Sequence, residues 1–254
     1  MTIKICLFSK FYNDRENLER MLSTTSKYVD YMVLCDDSSN DGSREVAEKY
    51  TKDIITMPNV FTDELSHKQK LLEFAREKHP DITHFIHLDS DEILDITASE
   101  GLKRLCEFGE MFGFDSFAVH LINLWGSPCW VRVDSQFNDL TKVPIWENSP
   151  DLKFDTSEGL HRPQQPMNLK RCLKSSIQIL HYGFSDFNSI ARKYSTYKRH
   201  GQSGNALDRL RPDNPNIQLV PMNLSLFPAD LKPRGEPQKI ITTKEFDELC
   251  QKYQ

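Results

Sequence analysis

The sequence predicts an α/β fold built on a mostly parallel sheet with helices on both faces. Two observations carry that reading. Short apolar runs alternate with segments of helical period through about the first hundred residues, giving the order βαβαβαβ, and two of those runs stop abruptly at acidic clusters. Parallel strands joined through helices need right-handed crossovers, which puts helices on both faces of the sheet.

Ile3 to Phe8 is the first strand. Asn13-x-x-Glu16 reads as a capping box ahead of a helix in which Leu18, Met21 and Leu22 share a face. Val29 to Cys35 is the second strand; it ends in Asp36-Asp37-Ser38-Ser39-Asn40-Asp41-Gly42-Ser43, a polar loop whose end caps a helix through about Tyr50. Ile54 to Met57 makes a short third strand before Pro58. Ser66 to Lys78 is a helix carrying Leu71, Leu72, Phe74 and Ala75, and Thr83 to Leu88 is the fourth strand, followed at once by Asp89-Ser90-Asp91-Glu92.

Beyond Leu94 a helix is expected from about Ser99 to Met111, then an alternating segment from Asp115 to Leu124. Residues 125–170, rich in Trp, Pro, Asn and Asp, read as hairpins and loops of the kind that shape a pocket. Ile177 to Leu180 is strand-like, and a basic helix with aromatic residues runs from about Asp186 to Arg199. Residues 201–238 are polar and Pro-rich, expected as an extended arm or lid, closed by a short helix from about Thr243.

The net charge of −5 is unevenly spread: residues 1–160 hold 17 Lys/Arg against 29 Asp/Glu, whereas 161–211 hold 10 against 2. The acidic part carries the candidate site, and the basic part suits an anion such as a phosphorylated donor, a lipid phosphate or a nucleic acid. Six scattered cysteines form no C-x-x-C pair and no zinc spacing, so reduced thiols in a cytoplasmic protein are expected. No apolar run approaches the roughly 18 to 20 residues that cross a bilayer, and no secretion signal is evident.

A strand that delivers Asp89, Asp91 and Glu92 at its carboxyl tip is placed where open α/β sheets bind ligands. Clustered carboxylates repel one another unless a cation or proton neutralises them, and oxygen-only ligands suit Mn²⁺ or Mg²⁺ bridging to phosphate. The competing role for these residues is an acidic turn that caps the next helix.

Phe11-Tyr12-Asn13-Asp14 ahead of a helix, Asp36-Asp37-Ser38-Ser39-Asn40-Asp41-Gly42-Ser43 at the second strand and Leu88-Asp89-Ser90-Asp91-Glu92 at the fourth together resemble, in order and spacing, family 2 glycosyltransferases of the GT-A fold. Leu180-His181-Tyr182-Gly183 resembles a shorter H-Y signature of some GT-A enzymes. The resemblance implies a GT-A-type, Rossmann-like sheet with a nucleotide-sugar-binding half over 1–115, an acceptor-binding half over 116–200, and a C-terminal arm and short helix over 201–254. It implies inverting transfer of a sugar from a nucleotide-diphosphate donor, UDP-sugar by default, to an acceptor hydroxyl on a glycan or glycolipid; the basic segment would also suit a protein side chain or a modified nucleic-acid base.

Carried over by position, Asp37 and Asp36 would bind the donor's base, Asp89 its ribose, and Asp91 the metal, with Glu92 a second possible ligand. His181 would complete the metal shell or serve as a structural histidine. Asp41 would organise its own loop. Lys68 would lie near the donor. The base would be Glu158, ahead of the flexible Gly159 and close to His161, or else Asp155, with Glu147 further off; Arg162 after His161 departs from the His-Glu pair of some relatives. Trp125, Trp130 and Trp146 offer at most one stacking platform, and Arg192, Lys193, Lys198 and Arg199 could face an anion.

Two other classes compete. A nucleotidyltransferase would place a Gly-rich basic loop after the first strand, where this chain has Ser9-Lys10-Phe11-Tyr12-Asn13. A non-catalytic binding module would keep the sheet and lose the base or the metal, against which the intact acidic tip argues. No G-x-x-x-x-G-K-[ST] loop occurs.

Overall fold

The run Ile5-Cys6-Leu7-Phe8 is fully buried, as a strand covered on both faces should be, and it forms the middle of the parallel part of the sheet. The computed structural model describes residues 2–60, 64–156, 164–235 and 237–253. β1 (Ile5–Phe11) pairs in parallel with β2 (Tyr31–Asp36) on one side and β4 (His84–His87) on the other, and β2 carries β3 (Ile54–Thr56), also parallel. The crossovers pass through α1 (Arg15–Thr25), α2 (Ser43–Ala47) and α3 (Glu64–Lys78).

β8 (Thr141–Glu147) joins β4 antiparallel, and β6 (Ser116–Asn123) joins β8 antiparallel. With β9 (Cys172–His181) and β5 (Glu92–Leu94) the eight strands run β3-β2-β1-β4-β8-β6-β9-β5, and α4 (Ala98–Phe112) links β5 to β6. β8 lies within the stretch expected as hairpins and loops. It enters the sheet because Ile145 and Trp146 are fully buried there, Trp146 opposite Phe85. Its register against β6 shifts by one residue between the pairs Phe117↔Ile145 and Val119↔Lys142. Pro144 lies inside that interval and has no amide to donate to a regular ladder.

The expected capping box at Asn13 does not form. Asn13 instead takes φ 46° and its side-chain oxygen accepts from the Asn40 amide at 2.8 Å; Asp14 takes the N-cap position of α1. The long-range contact with the 36–43 loop uses the group that would have capped the helix.

The chain divides into two compact units, Met1–His120 with Thr141–Ile179, and Leu121–Leu140 with Leu180–Gln254. In the first, Phe8, Phe85, Trp146 and Phe154 pack with Leu71, Leu72 and Ala75 of α3 to form the core. In the second, β7 (Trp130–Arg132) pairs antiparallel with β10 (Leu219–Pro221), and α5 (Phe187–Arg199), α6 (Asn205–Asp208) and α7 (Thr243–Gln251) complete the unit. Its core contains Trp125, Phe137, Phe184, Ile190 and Phe246. The Arg132 guanidinium lies 4.3 Å from the Trp125 ring and 4.1 Å from Phe137, paired with Asp134 at 2.5 Å. Asp186 caps α5, and Thr242 with Glu245 forms a capping box on α7.

The stretch expected as an extended arm is built differently. It carries α6, β10 and a single 3₁₀ turn over Leu224–Leu226, anchored by buried Leu207, Leu210, Met222 and Phe227. All six cysteines are free thiols. Among the described residues no helix is long and apolar enough to cross a membrane.

Candidate active site

The carboxyl ends of β1, β2 and β4 lie side by side, so side chains at these three tips share one rim. At the β2 end Asp37 is 1% exposed. Its Oδ2 is 2.6 Å from Lys10 Nζ, and its Oδ1 is 2.9 Å from His67 Nδ1 on α3 and 3.6 Å from Cys35 Sγ. The ligand atoms of Cys35, Asp37 and His67 fall within 4.8 Å of one another. Lys10 already supplies the cation that neutralises Asp37, so the trio works as a hydrogen-bonded cluster. Burial, and then the neighbouring Asp37 charge, push the Cys35 thiol up and keep it protonated.

Asp36 is likewise buried, accepting the Ser39 amide at 2.8 Å, with Arg44 3.9 Å away. Asp41 holds the loop: its Oδ1 accepts from the Ser43 amide and hydroxyl at 2.9 and 2.6 Å, and its Oδ2 accepts from the Arg15 amide at 3.2 Å. Although burial opposes ionisation, the Ser43 bonds keep its carboxyl below the usual range. Gly42 then takes φ 91°, a left-handed conformation suited to glycine, before α2 begins.

The β4 end is the acidic tip. The Asp89 side chain keeps 44% of its surface in solvent, Asp91 is half-buried, and Glu92 is 2% exposed. Lys142, at the start of β8, bridges two of them: its Nζ lies 2.8 Å from Asp89 Oδ2 and 2.6 Å from Glu92 Oε1. The second Glu92 oxygen accepts the Asp89 amide at 3.0 Å. Desolvation would raise the Asp89 carboxyl, but the Lys142 and Lys68 ammonium groups overcome it and hold the group ionised. Lys142 is correspondingly held protonated against its own burial by Asp89 and Glu92. Beneath the tip, burial and then the Lys68 charge push His87 well below its usual value, so it stands as a neutral ring against Phe8 and Trp146. Ser90 donates to Asp14 at 2.7 Å, tying the tip to the start of α1.

No family model matches the sequence, and no curated protein matches it. Solved structures do share its fold. S. aureus TarS (residues 1–349) superposes with a TM-score of 0.51 at 15% identity over 84% of this chain and 70% of TarS. The same protein in complex with UDP gives 0.50 at 16%, over the same shares. The chain has the GT-A fold.

On this GT-A scaffold the first unit gathers Asp36, Asp37, Lys68, Asp89, Asp91 and Glu92. Lys68 is fully buried, donates to Gln164, and its charge acts on both His87 and Asp89. Asp155 is half-buried in the same unit, and Glu158 lies outside the described residues. Burial raises Glu147, the more distant candidate, above its usual value. His181 belongs to the second unit, its Nδ1 2.7 Å from Asn123 Oδ1 and its ring against Phe184. Trp146 and Trp125 are core residues, while Trp130 is half-buried on β7. Lys193 covers the Phe184 ring at 4.7 Å, and Lys198 and Arg199 are exposed.

Sequence reading passed over Lys10, His67, His87 and Lys142. Lys10 and His87 each carried a signal, a polar residue near the end of a buried strand. Lys142 lies 50 residues or more from both of its partners, and nothing local announces the bridge.

Proposed function

We propose that this chain is a metal-assisted, inverting glycosyltransferase that takes its sugar from a nucleotide-diphosphate donor, UDP-sugar first among them, and passes it to an acceptor hydroxyl in glycan synthesis. The observation that carries the reading is the pairing of two carboxylate-bearing strand ends, Asp36-Asp37 on β2 and Asp89 to Glu92 beyond β4, on either side of β1 in a fold that TarS displays with UDP bound. Nucleotides bind outside the carboxyl ends of such strands.

The residues fit a hard divalent ion. Their donor atoms are all carboxylate oxygens, and Asp89 and Asp91 keep accessible surface, whereas both Glu92 oxygens already have partners. Asp91 would hold Mn²⁺ or Mg²⁺ with Asp89 beside it, and Glu92 would brace the tip. When bound, the ion would stabilise the charge that builds on the departing diphosphate. Asp37, buried with both oxygens held by Lys10 and His67, would shape the base site through the Lys10 side chain it fixes, and Asp89 would recognise the ribose. Lys68 adds positive charge to the same rim. Glu158, or Asp155, would take the acceptor's proton on the face of the sugar opposite the leaving group.

The test is a thermal-shift panel of UDP, GDP, CDP and dTDP, each with Mn²⁺, Mg²⁺ or EDTA. A ligand at about 100 times its dissociation constant adds about 2.7 kcal/mol, or about 5 to 10 °C for a chain of this size. One nucleotide that stabilises only with metal, and fails to do so in Asp91→Asn, bears the reading out. No shift with any nucleotide would mean a scaffold that has lost donor binding.

A further inference from the structure

The Lys142 bridge gives the acidic tip a resident cation, and it rests on a specific departure from regular sheet. Between Val119↔Lys142 and Phe117↔Ile145 the β6–β8 register slips by one residue, across the interval that holds Pro144. Such a slip changes the face to which the preceding side chain points. Lys142 thereby meets Asp89 and Glu92 at 2.8 and 2.6 Å, while Trp146, four residues on, fills the core. Glu92 closes the ring through the Asp89 amide. Three carboxylates would repel one another in an empty tip. With Lys142 in place the formal charge of Asp89, Asp91 and Glu92 falls from −3 to −2, and the tip can form before any metal arrives.

We propose that Lys142 is a positioning residue that makes divalent-ion binding conditional on the nucleotide: it neutralises one carboxylate's worth of charge, so the ion alone binds weakly and the donor's phosphates supply the remaining attraction. This deepens the transferase reading above and depends on it. A unit charge next to a divalent ion changes its affinity at least tenfold, even under strong solvent screening. Linkage then requires that the nucleotide's own affinity respond equally to the ion.

The experiment measures free Mn²⁺ by electron paramagnetic resonance, with and without UDP, GDP, CDP or dTDP, in the wild type, Lys142→Met, Lys142→Gln and Lys142→Arg, with circular dichroism confirming the fold of each. The expected result is Mn²⁺ binding without nucleotide at least tenfold tighter in the two neutral variants, a correspondingly smaller gain on adding nucleotide, and wild-type behaviour in Lys142→Arg. The Gln variant, which keeps a donor for the bridge, carries the test if Met does not fold. Wild type that binds Mn²⁺ with nucleotide, beside folded neutral variants whose nucleotide-free affinity stays within about twofold, overturns the role of Lys142 and leaves the transferase reading intact. Wild type that binds no Mn²⁺ with any of the four nucleotides overturns both.

Discussion

His84 sets a pH limit on the fold. It sits in β4, 1% exposed, with Nδ1 3.1 Å from Thr83 Oγ1, and burial lowers its pKa from 6.5 to about 4. The folded form keeps this ring neutral while the unfolded chain takes up a proton below pH 6.5, so the contribution is fully present above that pH and is lost as pH falls toward 4. Integrating between those two pKa values from pH 7 to pH 4 gives a loss of roughly 3 kcal/mol, a large share of a typical domain's stability. Urea unfolding at pH 7, 6, 5 and 4 measures it against His84→Asn, which stays neutral throughout. Wild type should lose about 3 kcal/mol more than the variant across that range, most of it above pH 5. Parallel curves for the two proteins would refute the reasoning and mean that His84 is protonated in the fold.

Gly109 on α4 faces Phe117: an added Cβ would come within 2.6 Å of its ring and 2.9 Å of the Phe114 carbonyl oxygen. Gly109→Ala should therefore destabilise by about 1 to 2 kcal/mol in urea unfolding, despite alanine's better helix propensity, because overpacking outweighs it. Arg132→Met leaves Asp134 buried without its partner and should cost about 3 to 5 kcal/mol, much of it recovered in Arg132→Met/Asp134→Asn. Glu158→Gln should leave nucleotide affinity nearly unchanged and lower turnover about a hundredfold; normal turnover would move the base to Asp155.

Where local pattern and tertiary packing agree, the chain was readable. The four parallel strands, α3, α4, α5 and α7 all follow from period and capping signals within a dozen residues. Three features were not readable, each for a reason of distance. The capping box at Asn13 lost its side chain to Asn40, an alternative only the folded loop offers. β8 carries a proline, a strand-breaking signal in isolation, and is tolerated because the ladder slips there. The short elements of 201–238 rest on a few widely spaced apolar residues, too sparse to give a period. The candidate site divides the same way: its acidic residues and Lys68 were visible in the sequence, while Lys142 and His67, which contact the carboxylates, come from elements distant along the chain.

The order of the strands also bears on how the acidic tip is held. β4 and β5 stand four places apart in the sheet, yet only Leu88-Asp89-Ser90-Asp91 joins them. Laid flat, four inter-strand steps cover about 19 Å, whereas five fully extended residue steps reach about 17 Å. The Glu92 amide also turns back to the Asp89 carbonyl at 3.0 Å, shortening the link further. The sheet has to curl far enough that the link closes on itself as a turn, with both of its ends anchored in strands. Asp89 and Glu92 therefore sit at the two ends of one closed turn, and lengthening or shortening it would separate the carboxylates that Lys142 bridges.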